Sequence, residues 1–123
     1  MKRILFILCS FLLPVYMMGQ VYYSPSLEQR AFDGDLDAIY DMGSCYYNGN
    51  GLHRNFEQAV NWYAKAARKG HVGAMKTLSS LYKYGHGVAK SAEKSATFLE
   101  AKKAAEAGEQ ERAKALVEKA LAR

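Results

Sequence analysis

The sequence is poor in cysteine, has no apolar run of membrane-spanning length, and concentrates charge of neither sign. Each shortage excludes something. The stretch Ile4 to Leu13 is almost wholly apolar, broken only by Cys9 and Ser10 and followed by Pro14. It falls short of the ~20 residues a spanning helix needs. Lys2 and Arg3 precede it and the small residue Gly19 follows, so residues 1–19 read as a signal peptide cut between Gly19 and Gln20. A secreted or periplasmic protein with no stable membrane insertion after cleavage is the expectation. Cleavage removes Cys9 and leaves Cys45 without a partner, so no internal disulfide is available and the fold must rest on packing. In an oxidising compartment such a thiol is expected to be buried as a small apolar residue.

The charge excess is mild. The chain has 17 Lys and Arg against 12 Asp and Glu, and loss of Lys2 and Arg3 leaves about +3. The basic residues are dispersed and not interleaved with aromatics, so nucleic acid is not an expected partner.

Candidate chemistry is equally sparse. His53, His71 and His86 fall in predicted turns or helix starts, without the spacing of metal ligands, and read as solvated turn residues. Ser79, Ser80 and Cys45 fall on predicted helices with no base that spacing can locate. Asp33, Asp35, Asp37 and Asp41 surround a helix start, where carboxylates cap the backbone and complement the helix dipole. No catalytic residue, metal or cofactor is assigned.

What the chain does have is a repeat. At an offset of 36, Ala31 meets Ala67, Gly34 meets Gly70, Ala38 meets Ala74 and Ser44 meets Ser80. Tyr46 then meets Tyr82, Gly49 meets Gly85, Gly51 meets Gly87 and Glu57 meets Glu93. Trp62 aligns with Phe98, after which the offset grows by two, so that Lys65 to Gly70 matches Lys103 to Gly108. A two-residue insertion therefore lies within or beside the second helix of the second unit. In the first unit, Ala38, Met42, Cys45 and Tyr46 form one apolar stripe at helical spacing. Gly49 and Gly51 mark its exit. A second helical pattern runs from about Phe56 to Lys69 and stops at Gly70. Small residues at Ala38, Gly43, Ala59 and Ala66 let the two helices approach, with Tyr46 and Trp62 expected to fill the space between them.

The order Ala38, Met42-Gly43, Tyr46, Gly49-x-Gly51, Ala59, Trp62-Tyr63, Lys65-Ala66-Ala67 and Gly70 resembles a Sel1-like repeat, a relative of the tetratricopeptide repeat. The second unit keeps Ala74, Leu78, Tyr82 and Gly85-x-Gly87, but has Ser79 for Gly43, Ser95 for Ala59 and Phe98-Leu99 for Trp62-Tyr63. The resemblance covers roughly residues 30–108. It implies an all-α fold, a short right-handed α/α solenoid of two helix-turn-helix repeats with terminal capping helices. Residues 20–33 form an N-terminal linker and cap, 34–69 and 70–108 the repeats, and 109–123 a C-terminal capping helix.

Such repeats act as adaptors, so the resemblance implies a non-catalytic module that binds an unidentified protein or peptide. In stacked helical pairs the first helices line the concave face. Off their core stripes stand Tyr40, Asp41, Ser44, Tyr47 and Asn48, in register with Lys76, Thr77, Ser80, Lys83 and Tyr84. These ten residues are the expected partner-binding set, with half-buried packing the competing role for Tyr47 and Tyr84. Two other readings stay open. One is a cell-wall hydrolase or penicillin-binding enzyme, for which Ser80 followed by Lys83 is the nearest feature. The other is a self-associating structural protein, suggested by the short array and by Cys45, whose thiol could pair with that of a second copy.

Overall fold

The computed structural model describes residues 20–122, and the expected signal peptide lies outside them. Among the described residues six helices follow one another: α1 (Pro25–Phe32), α2 (Leu36–Asn48), α3 (Phe56–Arg68), α4 (Val72–Tyr84), α5 (Ala92–Glu106) and α6 (Gln110–Leu121). Among the described residues there is no strand. Each helix packs on the next, and α3 also touches α6. The pairs α2–α3 and α4–α5 are the two repeats. Helix α1 stands where the end of a preceding second helix would lie, and α6 where a further first helix would begin. The architecture is an α/α solenoid.

The repeat is written into the backbone hydrogen bonds. Within each unit the N–H that opens the second helix donates to a carbonyl near the end of the first. Asn55 donates to Tyr46 at 2.9 Å and Ser91 to Tyr82 at 2.8 Å. Between units the same closure recurs three times, from Asp35 to Arg30, His71 to Ala66 and Glu109 to Ala104, at 2.9 to 3.0 Å. Helix starts are capped by Ser24, Asp35, Asn55, His71 and Ser91, each side chain accepting the N–H three residues on.

The second glycine of each Gly-x-Gly turn seats the turn against what precedes it. Gly87 has φ +77°, and a Cβ there would lie 2.5 Å from the Phe56 carbonyl oxygen. Only glycine combines that backbone with that approach. In the first unit Gly51 meets Tyr23 instead. Tyr23 thus takes beside Gly51 the place that Phe56, at the start of α3, takes beside Gly87. Asn50, between the glycines, donates to the Val21 carbonyl at 3.1 Å and accepts the Tyr23 N–H at 3.0 Å. Cys45 is fully buried, its thiol directed at the Val21 carbonyl, 3.7 Å away. Burial pushes the thiol pKa up and keeps it protonated.

The interior of each unit is closed differently. In the first, the Tyr63 ring lies across Gly43, where a Cβ would be 2.8 Å from ring carbons. Tyr63, not Trp62, fills the space between α2 and α3. The expectation for Trp62 is corrected: it is half-buried on the outer side against Phe32, ring centroids 5.9 Å apart. In the second unit Ser79 and Ser95 bond to each other at 2.9 Å, and Ser79 also donates to the Ser95 carbonyl. Phe98 is fully buried and stacks on Tyr82 at 5.5 Å.

The insertion explains the exchange once it is placed before Phe98, which then takes the position of the buried Val60, with Ala101 in that of Tyr63. Helix α5 has 15 residues against 13 in α3, so the extra pair lies inside the helix. Its buried stripe runs Ser95, Phe98, Ala101, Ala104, three residues at a time. Phe98, paired by residue type with the outward Trp62, therefore points inward. Leu99, paired likewise with the inward Tyr63, is 43% exposed.

Candidate partner-binding groove

Helices α2 and α4 flank an open groove of about 610 Å³. Its walls are Tyr40, Ser44, Tyr47 and Asn48 from α2 and Gly73, Lys76, Thr77, Ser80 and Leu81 from α4, with Tyr63 of α3 below. Seven of the ten expected residues meet here. Asp41 faces an adjoining hollow of about 480 Å³ that it shares with Gln20, Val21 and Asn50, while Tyr40, Ser44 and Asn48 line both spaces. Lys83 and Tyr84 do not line the groove. They stand exposed beyond it, the Lys83 ammonium 5.4 Å from the Tyr84 ring centroid.

The groove floor is a hydrogen-bonded relay. The Thr77 hydroxyl donates to the Gly73 carbonyl at 2.9 Å, so the Tyr40 hydroxyl donates to Thr77, 3.1 Å away. Ser44 donates to the Tyr40 carbonyl, so the Tyr63 hydroxyl donates to Ser44 at 3.1 Å. Burial pushes the Tyr63 pKa up to about 12, so its hydroxyl stays neutral. The Asp41 side chain has no hydrogen-bond or ion-pair partner among the described residues. Burial, and then the Asp37 charge, raise its pKa.

Two histidines read from sequence as solvated turn residues are instead joints between units. His71 caps α4 by accepting the Ala74 N–H at Nδ1, 3.0 Å away, which leaves the Nε2 proton facing Asp37 at 3.3 Å. Its ring stacks on Tyr40 at 4.6 Å. His86, between the turn glycines, stacks on Phe56 at 5.2 Å and meets the Tyr47 hydroxyl at 3.1 Å. Tyr47 therefore serves packing as well as the groove wall. His53 is exposed.

Sequence reasoning did not place Tyr63, Gly73 or Leu81 in the groove. For Tyr63 a signal existed, since it stands one turn after Ala59 on the inward stripe. For His71 and His86 the signal was their register with Asp35 and Asn50, which do the corresponding work one unit earlier.

The groove offers hydroxyl, amide and ammonium groups on an aromatic bed. Among the described residues no group of three His, Cys, Asp or Glu side chains stands together to hold a metal. No described helix is long and apolar enough to cross a membrane. Ser79 is a buried core residue, and Ser80 an exposed groove residue.

Comparison with known proteins follows the repeat. Residues 36–71 and 73–109 match the family model described as the Sel1 repeat. A 62-residue stretch, 50% of the chain, is 39% identical to the ERAD-associated E3 ubiquitin-protein ligase component HRD3A of Arabidopsis thaliana, covering 9% of that protein. A 52-residue stretch, 42% of the chain, is 36% identical to DAP3-binding cell death enhancer 1 of Rattus norvegicus, covering 10% of it. The chain thus matches about a tenth of the length of these relatives. No solved structure matches.

Proposed function

Because the chain belongs to the Sel1 repeat family, we propose that it is an exported adaptor that holds a peptide or protein loop in the groove between α2 and α4 without turnover. Sel1 repeats generally mediate protein–protein interaction, and the family is a non-enzymatic module. The two relatives are named as a component of a ligase and as a binder of DAP3. The observation that carries the reading is the groove itself. Seven side chains from two units open onto one space, with the Tyr40 hydroxyl held by Thr77 and the Ser44 hydroxyl held by Tyr63. A preorganised polar wall spends little conformational entropy on binding, and Tyr adds contact area with a polar tip. Lys83 and Tyr84 extend the wall beyond the groove, and Asp41 extends it into the adjoining hollow.

The test is site-specific photo-crosslinking in the cells that make the protein. A photoreactive residue at position 80 is expected to capture a partner, and one at Asn61, exposed on α3, is not. Capture from position 61 alone would overturn the groove as the binding face. Export is tested on the same material. The expected mature chain begins at Gln20, and a protein that keeps Met1 and stays with the cytosol would refute it.

A further inference from the structure

The cations of this molecule divide into two kinds. Arg30, Arg68, Lys102, Arg112 and Lys114 are paired with carboxylates. Nine other described Lys and Arg are not, Lys76 and Lys83 among them, and no carboxylate of the described residues lies within ion-pair distance of either. Helix α4 contains no Asp or Glu at all. Lys76, Ser80 and Lys83 follow one another at helical spacing, so they share one face of α4. Lys76 and Ser80 line the groove, and Lys83 continues the row past it. The groove's α2 wall carries no carboxylate either, since Asp41 faces the adjoining hollow.

Seven residues along a helix separate Lys76 from Lys83 by about 10.5 Å at 1.5 Å per residue. In a polyproline-type extended chain, which rises ~3.1 Å per residue with three residues per turn, side chains three apart lie ~9 Å apart on the same side. Such a chain also leaves its backbone groups unpaired. Ser80 has an exposed hydroxyl between the two lysines, and Asn48 spends its amide N–H on the Ser44 carbonyl, which frees its side-chain oxygen to accept.

Resting on the groove reading, we propose that the occupant is an acidic extended segment with two carboxylates three residues apart, one met by Lys76 and the other by Lys83. Ser80 and Asn48 engage its backbone between them.

The test titrates the isotope-labelled protein with three proline-rich hexapeptides, bearing Glu, Gln or Lys at the first and fourth positions. The Glu peptide is expected to shift the resonances of Asn48 and Ser80. The Gln peptide should bind roughly tenfold more weakly, the scale of two exposed ion pairs. The variant Lys76→Gln/Lys83→Gln should lose the same factor for the Glu peptide and lose nothing further for the Gln peptide. The charge-keeping Lys76→Arg/Lys83→Arg variant should bind like the parent, which separates lost charge from lost fold. A Gln or Lys peptide that occupies the groove as tightly as the Glu peptide would overturn the acidic occupant and leave the groove reading intact. Groove resonances unmoved by all three peptides would overturn both.

Discussion

The two repeats share every turn and differ at the seam between their helices. In α2–α3 the seam is glycine under an aromatic ring, Gly43 beneath Tyr63, whose hydroxyl then anchors the groove floor. In α4–α5 it is a pair of hydroxyls, Ser79 with Ser95, and the aromatic bulk moves to Phe98 against Tyr82. The first unit thus turns its packing residue into part of the binding wall. The second buries its packing residue fully and leaves the wall to Lys76 and Ser80. The backbone repeat tolerates both solutions because its hydrogen bonds at the turns do not depend on which side chain closes the seam.

The sharpest way to break this comparison is at its aromatic residues. Phe98→Ala removes a fully buried ring and should destabilise by about 3–5 kcal/mol. Trp62→Ala, at the position paired with it by residue type, removes outer contacts with Phe32 and Lys65 and should cost roughly 1 kcal/mol. Denaturant midpoints of the two variants check this, and equal losses would mean that Trp62 and Phe98 play the same part.

Exchange of the seam residues comes next. Gly43→Ser places a side chain against the Tyr63 ring and should cost about 1–3 kcal/mol by overpacking. Ser79→Ala removes one member of a satisfied buried pair and should cost about 1 kcal/mol. Chemical denaturation reads both, and a neutral Gly43→Ser would show that α2 and α3 have room to separate.

The smallest effect concerns Asp41, whose register partner in the second unit is Thr77. Burial and the Asp37 charge raise the Asp41 pKa above its ordinary 3.8. The folded chain therefore holds this proton more tightly than the unfolded chain does. Asp41 is best tolerated below the unfolded value and costs stability as pH rises through the folded value. Asp41→Asn should raise the Tm at pH 7, with the gain vanishing below about pH 4. Thermal melts at the two pH values decide it, and a gain that persists at low pH would assign the effect to something other than ionisation.

Legibility in the sequence followed the range of the physics. The two units, their glycine exits, the Asp35 cap and the closing helix all depend on residues a few positions apart, and periodicity exposed them. The row of groove residues on α2 and α4 was also legible, because a helix places side chains by arithmetic. The inward position of Phe98 was not. A two-residue insertion turns a helix by more than half a revolution, and alignment by residue type paired Phe98 with the outward Trp62. The joints made by His71 and His86 left no more trace than their register with Asp35 and Asn50. The partners of the two histidines, Tyr40 with Asp37 and Phe56 with Tyr47, lie about a full repeat away, and a turn histidine looks the same whether or not a neighbouring unit covers it.

By itself the sequence determined the class of the molecule: helices in pairs, their order, their stops and the number of units, all short-range consequences of apolar spacing, glycine and capping. Only the tertiary structure decided which ring closes each seam, which histidines become joints, and that Asp41 and Lys76 face separate hollows. Those outcomes depend on how far one helix rotates against the next, and that rotation is settled by packing among distant residues.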